Sequence, residues 1–266
     1  DVPRGARAQP PEEDLAAIDV ADLRRGQVLA APDLVVATRR LLVALAPAVD
    51  LSGGATRSLP AHGEQLRLHL GTESVEAIVV RNVRTAAALP GDGTTVLLRL
   101  DRPVAAAFGD RFVLRRPSPG ATAAGGRVLD PLPPLGPSRR RATPAALADL
   151  ASAAPGVGTT AGAEAFVAAL VRLHGAVAGA RILALGGARP GDPIVALGPL
   201  LLDPAVVDAA GAGAIDAVAS QASAEPLAAG LPLATLRASV VRDLRRRVSA
   251  DRGDAAAAAA ALLDHL

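Results

Sequence analysis

Apolar and polar residues alternate along the first half of the chain, whereas along much of the second half the apolar positions recur every three or four residues. Alternation marks a strand with one wet face, and the longer period marks a helix with one buried stripe. On that basis short strands are predicted at 35–45, 66–70, 75–81, 94–100, 111–115 and 126–129. Explicit turn signals part them. Leu89-Pro90-Gly91-Asp92-Gly93 and Phe108-Gly109-Asp110 place glycine where positive φ is wanted, and the prolines of Arg116-Pro117-Ser118-Pro119-Gly120 exclude helix. Short strands separated by such turns predict a sandwich or a barrel.

Upstream, Leu23-Arg24-Arg25-Gly26-Gln27-Val28-Leu29-Ala30 reads as a turn feeding a short strand. Downstream, Pro131-Leu132-Pro133-Pro134-Leu135-Gly136-Pro137-Ser138-Arg139-Arg140-Arg141 is a proline-rich and then basic connector, the composition of a semi-rigid spacer. The main domain boundary is placed there. Beyond it, Thr143 with Pro144 and Asp203 with Pro204 each read as an N-cap followed by proline in the first turn, and Leu231-Pro232 opens a helix with apolar positions Leu236, Val240, Val241 and Leu244. Apolar runs at 181–185 and 193–197 flank a turn at 186–192, so the order predicted is helix, helix and a two-stranded wing. Seven alanines after Asp254 predict a final helix.

Composition narrows the chemistry. With 266 residues, about two domains are expected. Only three residues are aromatic, all Phe, so the cores must be filled by Leu, Val, Ile and Ala. The absence of cysteine excludes disulfides and thiolate metal sites and fits a reducing, cytoplasmic setting. No apolar stretch is long enough for a membrane span. The chain opens on Asp1 and has no Met, and it reads as a piece of something longer. All 28 basic residues are Arg, which gives a pI near 10.6 although the formal net charge is only +2. GC-rich coding explains that usage for the chain at large, and a need to grip phosphate is the competing explanation for particular clusters.

No catalytic constellation stands out. Gly156-Val157-Gly158-Thr159-Thr160 looks like a phosphate loop but lacks the following Lys and a convincing preceding strand. His62, His69, His174 and His265 are scattered, without metal-ligand spacing, and no Gly-x-Ser-x-Gly elbow occurs. Glu73 and Glu76 read most simply as solvated strand positions. Two arginine runs, Arg139-Arg140-Arg141 and Arg242 with Arg245-Arg246-Arg247, could neutralise phosphates. The second could equally complement the dipole at a helix C-terminus.

Four segments carry a family resemblance: Arg25-Gly26-Gln27-Val28-Leu29-Ala30 with Pro32, His69-Leu70-Gly71-Thr72-Glu73-Ser74-Val75, Gly109-Asp110-Arg111-Phe112-Val113-Leu114-Arg115, and Gly125-Gly126-Arg127-Val128-Leu129-Asp130-Pro131. The first resembles the close of the second domain in elongation-factor-Tu-type GTPases. Together with the exit through prolines and arginines into a helical tail, the four resemble the bacterial selenocysteine-specific elongation factors, the SelB family. Glu225-Pro226-Leu227-Ala228-Ala229-Gly230-Leu231-Pro232 is similar to the entry of a second tail module in that family. Gly53-Gly54-Ala55 and the alanine-rich end depart from its pattern.

The resemblance implies a multidomain chain, all-β and then α-rich: the end of a domain II barrel at 1–32, an elongation-factor-Tu-type third-domain β-barrel at 33–133, a Pro/Arg linker at 134–142, a winged-helix module at 143–205 and the start of a second at 206–266. It implies a part in a GTP-dependent factor that delivers selenocysteyl-tRNA to the ribosome at recoded UGA codons, with an mRNA hairpin bound by further C-terminal modules. GTP and Mg2+ belong to a G domain upstream, so no cofactor is expected in these residues, and whether an enzymatic label applies rests on that domain. Within the chain, the positions carried over as nucleic-acid-binding are His69, Gly71, Thr72, Arg111 and Arg127, for contact with tRNA backbone and 2′-hydroxyls. The simpler alternative is that Gly71 and Thr72 form a turn and both arginines support the barrel. Competing readings are another translational GTPase and a winged-helix DNA-binding regulator. The latter is weakened because 162–177 offers only Arg172 and His174 as basic groups.

Overall fold

The computed structural model describes residues 26–28, 35–49, 57–81, 86–118, 120–154, 160–183 and 193–265. The readings made above for Leu29-Ala30, Pro32, Gly53-Gly54-Ala55, Gly156 to Thr159 and the turn at 186–192 lie outside them, as does most of 1–32. The chain divides into two compact units, one holding the barrel and the other holding residues 134–146 and 164–265.

In the first unit the strands are β1 (Val36–Pro47), β2 (Gln65–Leu70), β3 (Glu73–Val80), β4 (Ala88–Leu89), β5 (Gly93–Ala106), β6 (Arg111–Arg115) and β7 (Thr122–Asp130). Their order is β1-β7-β6-β2-β3-β5-β4, and β1 also pairs with β5. Six antiparallel strands therefore close on themselves, with the two-residue β4 added alongside β5. The alternation read from the sequence is the alternation of burial: in β2, Leu66, Leu68 and Leu70 are buried while Gln65 and Arg67 are exposed. Leu41, Val43, Leu45, Val79, Leu98, Leu114 and Val128 fill the interior at 1% exposure or less. Each such side chain contributes roughly 1.5–3 kcal/mol of burial.

Closing a small barrel on aliphatic side chains leaves little spare volume, and Gly126 sits where it is tightest. A Cβ there would lie 2.2 Å from the Ala44 carbonyl oxygen and 2.6 Å from Cζ of Phe112. The ring of the barrel's buried Phe112 thus occupies the space a side chain on β7 would need. Gly26 plays a similar part at the barrel's lead-in. Its φ of +103° suits glycine, and a Cβ would fall 2.2 Å from Oε2 of Glu73. Two of the segments singled out in the sequence therefore meet at this point.

Glu73 is held from another side as well. Arg102 donates from Nη2 to its carboxylate and to the Ser74 carbonyl oxygen, the latter at 2.7 Å. The bond from Arg102 is the main reason the Glu73 carboxyl lies below its ordinary value of 4.5. Glu73 is consequently a structural anchor rather than the solvated strand position expected from the sequence.

The helical part begins with a 3-10 turn at Gly136–Arg141 and contains α1 (Pro144–Ala153), α2 (Thr160–His174), α3 (Gly179–Leu183), α4 (Pro204–Ala224), α5 (Leu233–Arg247) and α6 (Arg252–Leu263). The expected caps are present: Thr143 Oγ1 accepts the Ala146 N–H at 3.2 Å, and an Asp203 carboxylate oxygen accepts the Ala205 N–H at 3.0 Å. At the last helix Asp251 accepts the Asp254 N–H at 2.8 Å.

The hairpin expected as a wing differs from the runs that predicted it. Residues 179–183 are helical instead of forming a strand, and the hairpin is β9 (Val195–Leu197) with β10 (Leu200–Leu202), turning through Gly198 at φ +57° and Pro199. A glycine of positive φ in the first turn position is what a two-residue hairpin requires. A third strand, β8 (Ala176–Ala178), pairs with β10 and makes the order β8-β10-β9. Leu197, Leu200 and Leu202 from this sheet, Val206 and Ala210 from α4, Val240 and Leu244 from α5, and Ala258, Ala259 and Leu262 from α6 form one core. Alanine on α6 lets that helix come close to its neighbours.

Candidate nucleic-acid interface

The five candidate positions fall on neighbouring places of one barrel face. His69 lies on β2, opposite Ser74 of β3 and Val113 of β6. Gly71 and Thr72 form the exposed two-residue turn between β2 and β3, with Gly71 at φ +57° and open space where a Cβ would stand. Since Leu70 pairs with Phe112, Gly71 comes level with Arg111 in register. Arg111 faces Arg127 across β6 and β7. The structure thus brings all five together, while Gly71 and Thr72 also make the turn that the simpler reading ascribed to them.

Register adds what the motifs alone did not show. Arg67 of β2 faces Arg115 of β6, so a row containing His69, Val113 and Gly125 is bracketed by one pair of opposed arginines on each side. A further opposed pair, Arg40 and Arg99, links β1 to β5. Like charges directly opposite one another on a sheet cost stability. Compensation within the barrel is slight. Arg67 has Glu76 at 3.6 Å, both side chains at least half exposed, and Arg115 donates to the Gly120 carbonyl oxygen at 3.1 and 2.8 Å. Among the described residues no carboxylate pairs with Arg111, Arg127, Arg40 or Arg99. Asp110, next to Arg111, caps its own turn by accepting the Ala107 N–H at 2.8 Å.

Arg67 and Arg115 were missed in the sequence although they share the strand period of His69 and Arg111. A two-residue step along each strand would have found them. Opposed guanidinium groups around a half-buried imidazole and an exposed valine can bind anions through planar, bidentate donors. The Val113 side chain, 40% exposed, offers an apolar contact in the middle of the row. Among the described residues no cluster of three or more His, Asp or Glu could hold a metal. The chain has no Lys, so the lysine of a phosphate loop is absent and these residues do not fit a GTP–Mg2+ site. Among the described residues no helix is long and apolar enough to cross a membrane.

A closed six-stranded antiparallel barrel followed by helices is the architecture of an elongation-factor-Tu-type barrel domain with helical modules. Residues 47–135 match the family model described as "Selenocysteine-specific elongation factor, beta-barrel domain". The selenocysteine-specific elongation factor of Desulfomicrobium baculatum is 30% identical over 122 residues, a stretch covering 45% of this chain and 18% of that protein. The crystal structure of translation elongation factor SelB from Methanococcus maripaludis, in its apo form, aligns at 17% identity with a TM-score of 0.34, over 44% of this chain and 28% of that one. The barrel of this chain is thus similar to the β-barrel domain of the selenocysteine-specific elongation factors. The matched stretch spans less than a fifth of the curated relative.

Proposed function

We propose that this chain is part of a GTP-dependent elongation factor that delivers selenocysteyl-tRNA to the ribosome at recoded UGA codons. Its barrel contributes a tRNA-facing surface, and the following helices, read as winged-helix modules, form an arm. The observation that carries the tRNA-facing role is the row of His69, Val113 and Gly125 between two pairs of facing arginines. Such a surface loses its internal repulsion when phosphates lie across it, and it contacts backbone and 2′-hydroxyls rather than base edges. GTP and Mg2+ would be held by a G domain beyond these residues, and an mRNA hairpin by further C-terminal modules. The setting is the cytoplasm.

Filter binding of the full-length factor to selenocysteyl-tRNA and to an ordinary aminoacyl-tRNA tests the reading. Retention of the former at concentrations where the latter passes is expected. Equal affinity for both would sink the selenocysteine assignment. Arg111→Gln with Arg127→Gln should weaken tRNA binding at least tenfold, on the scale of about 1.4 kcal/mol for that factor, and should make the salt dependence shallower.

A further inference from the structure

The two arginine runs of the sequence meet at one end of the helical unit. The 3-10 turn at Gly136–Arg141 packs against the C-terminal end of α5: the Ser249 N–H donates to Ser138 Oγ at 2.9 Å, bridging 111 residues of sequence. Ser138 Oγ donates in turn to the His174 carbonyl oxygen at 2.6 Å, and Ser249 Oγ donates to the Leu135 carbonyl oxygen. This junction splits each run into structural and spare members. Arg141 is committed inward, donating from Nε to the Arg172 carbonyl oxygen at 2.8 Å and pairing with Asp203. Arg247 pairs with Asp243 at 2.7 Å.

Arg139, Arg140, Arg242, Arg245 and Arg246 remain exposed, without an ion pair among the described residues. The nearby Asp251 feels the charge of Arg245 but already caps α6 through the Asp254 N–H. On α5, Arg242, Arg245 and Arg246 stand three and four residues apart, the spacing at which like charges repel. A dipole at the end of α5 accounts for one or two cations there, but not for Arg139 and Arg140, which come from a different element. Five guanidinium groups gathered from two elements that pack together suit a repeating line of anions better than a single carboxylate.

We infer that this end of the helical unit binds the phosphate backbone of an RNA helix, as a second surface in addition to that of the barrel. That the polyanion is RNA rests on the function proposed above, whereas the array itself does not. The test uses the full chain and a short, fluorescently labelled RNA duplex of arbitrary sequence, followed by anisotropy across a salt series. The variant Arg139→Gln/Arg140→Gln/Arg245→Gln/Arg246→Gln should bind at least tenfold more weakly. Its slope of log affinity against log salt should flatten by about 0.9 for each phosphate that is no longer neutralised. Its thermal transition should stay in place, and if it does not, Arg139→Gln/Arg140→Gln alone should still weaken binding several-fold. Native affinity in both variants overturns the inference. So does capture of the chain by phosphatidylserine vesicles that excess RNA duplex fails to reverse. If the factor does not discriminate among tRNAs yet the variant loses duplex binding, the delivery reading falls and the phosphate surface stands.

Discussion

Both units tie some arginines to oxygen partners and leave others without, but they arrange the rest differently: the barrel sets arginine opposite arginine across its strands, whereas the helical unit anchors Arg141 and Arg247 and gathers its spare arginines near the end of α5. On the barrel, arginines stand opposite arginines at 67 and 115, 111 and 127, and 40 and 99. In the helical unit, Arg141 ties the connector to α2 and to the cap of α4 through the Arg172 carbonyl oxygen and Asp203. The interiors differ as well. The barrel is packed with leucine and valine around Phe112, whereas α6 buries Ala255, Ala258 and Ala259. A net charge of +2 conceals both arrangements. What decides the role of each arginine is its register partner, not the overall composition.

The contrast can be broken most severely at Gly126. Gly126→Val forces a side chain into the Ala44 carbonyl and the Phe112 ring, and should cost about 3 kcal/mol or more. Urea unfolding followed by amide exchange should show that loss in β1, β6 and β7. In the helical unit the matching substitution is Ala258→Leu, which overfills a close helix contact and should cost about 2 kcal/mol by the same measurement. If it cost nothing, alanine would not be setting the approach of α6. Arg141→Gln removes a carbonyl bond and an ion pair of a side chain 27% exposed, so about 1 kcal/mol is expected after screening.

The Glu73–Arg102 pair gives the barrel a dependence on acid. Because the folded Glu73 carboxyl lies below its ordinary value of 4.5, its contribution is present above that pH and is lost as pH falls through the folded value. Thermal melts from neutral to strongly acidic pH should show this decline, and Glu73→Gln should flatten it. The smallest effect is the most diagnostic: Arg99→Glu, opposite Arg40, should raise barrel stability by about 0.5 kcal/mol by replacing repulsion with attraction. A destabilised Arg99→Glu barrel would mean that the facing arginines are not in conflict.

Much of this was legible in the sequence, because alternation and capping are local signals. Leu66, Leu68 and Leu70 announce β2, and Asp203 with Pro204 announces α4. The three-residue β8 at Ala-Val-Ala carries no such signal, and Gly198-Pro199 decided the hairpin that the longer apolar runs had obscured. The candidate residues were found through motifs, but their assembly into one face depends on how the strands align. The irregularity between Leu114 and Arg115 shifts that alignment, and no local pattern reveals it. Glu73 was misjudged for a related reason, its partner Arg102 lying 29 residues away, and the inward tie of Arg141 to Asp203, 62 residues away, could not be read from its run either.

The pairing of β1 with β5 has a consequence for behaviour at high concentration. Among the described residues, the closed ring of strands, with only the two-residue β4 alongside it, presents no long row of free backbone donors and acceptors on which another chain could grow a sheet. The unpaired flanks of β8 and β9 are only three residues long, too short to template much. A barrel that exposes facing arginines is thereby spared the commoner hazard of β-rich domains, and its self-association should be governed by charge and salt, not by strand addition.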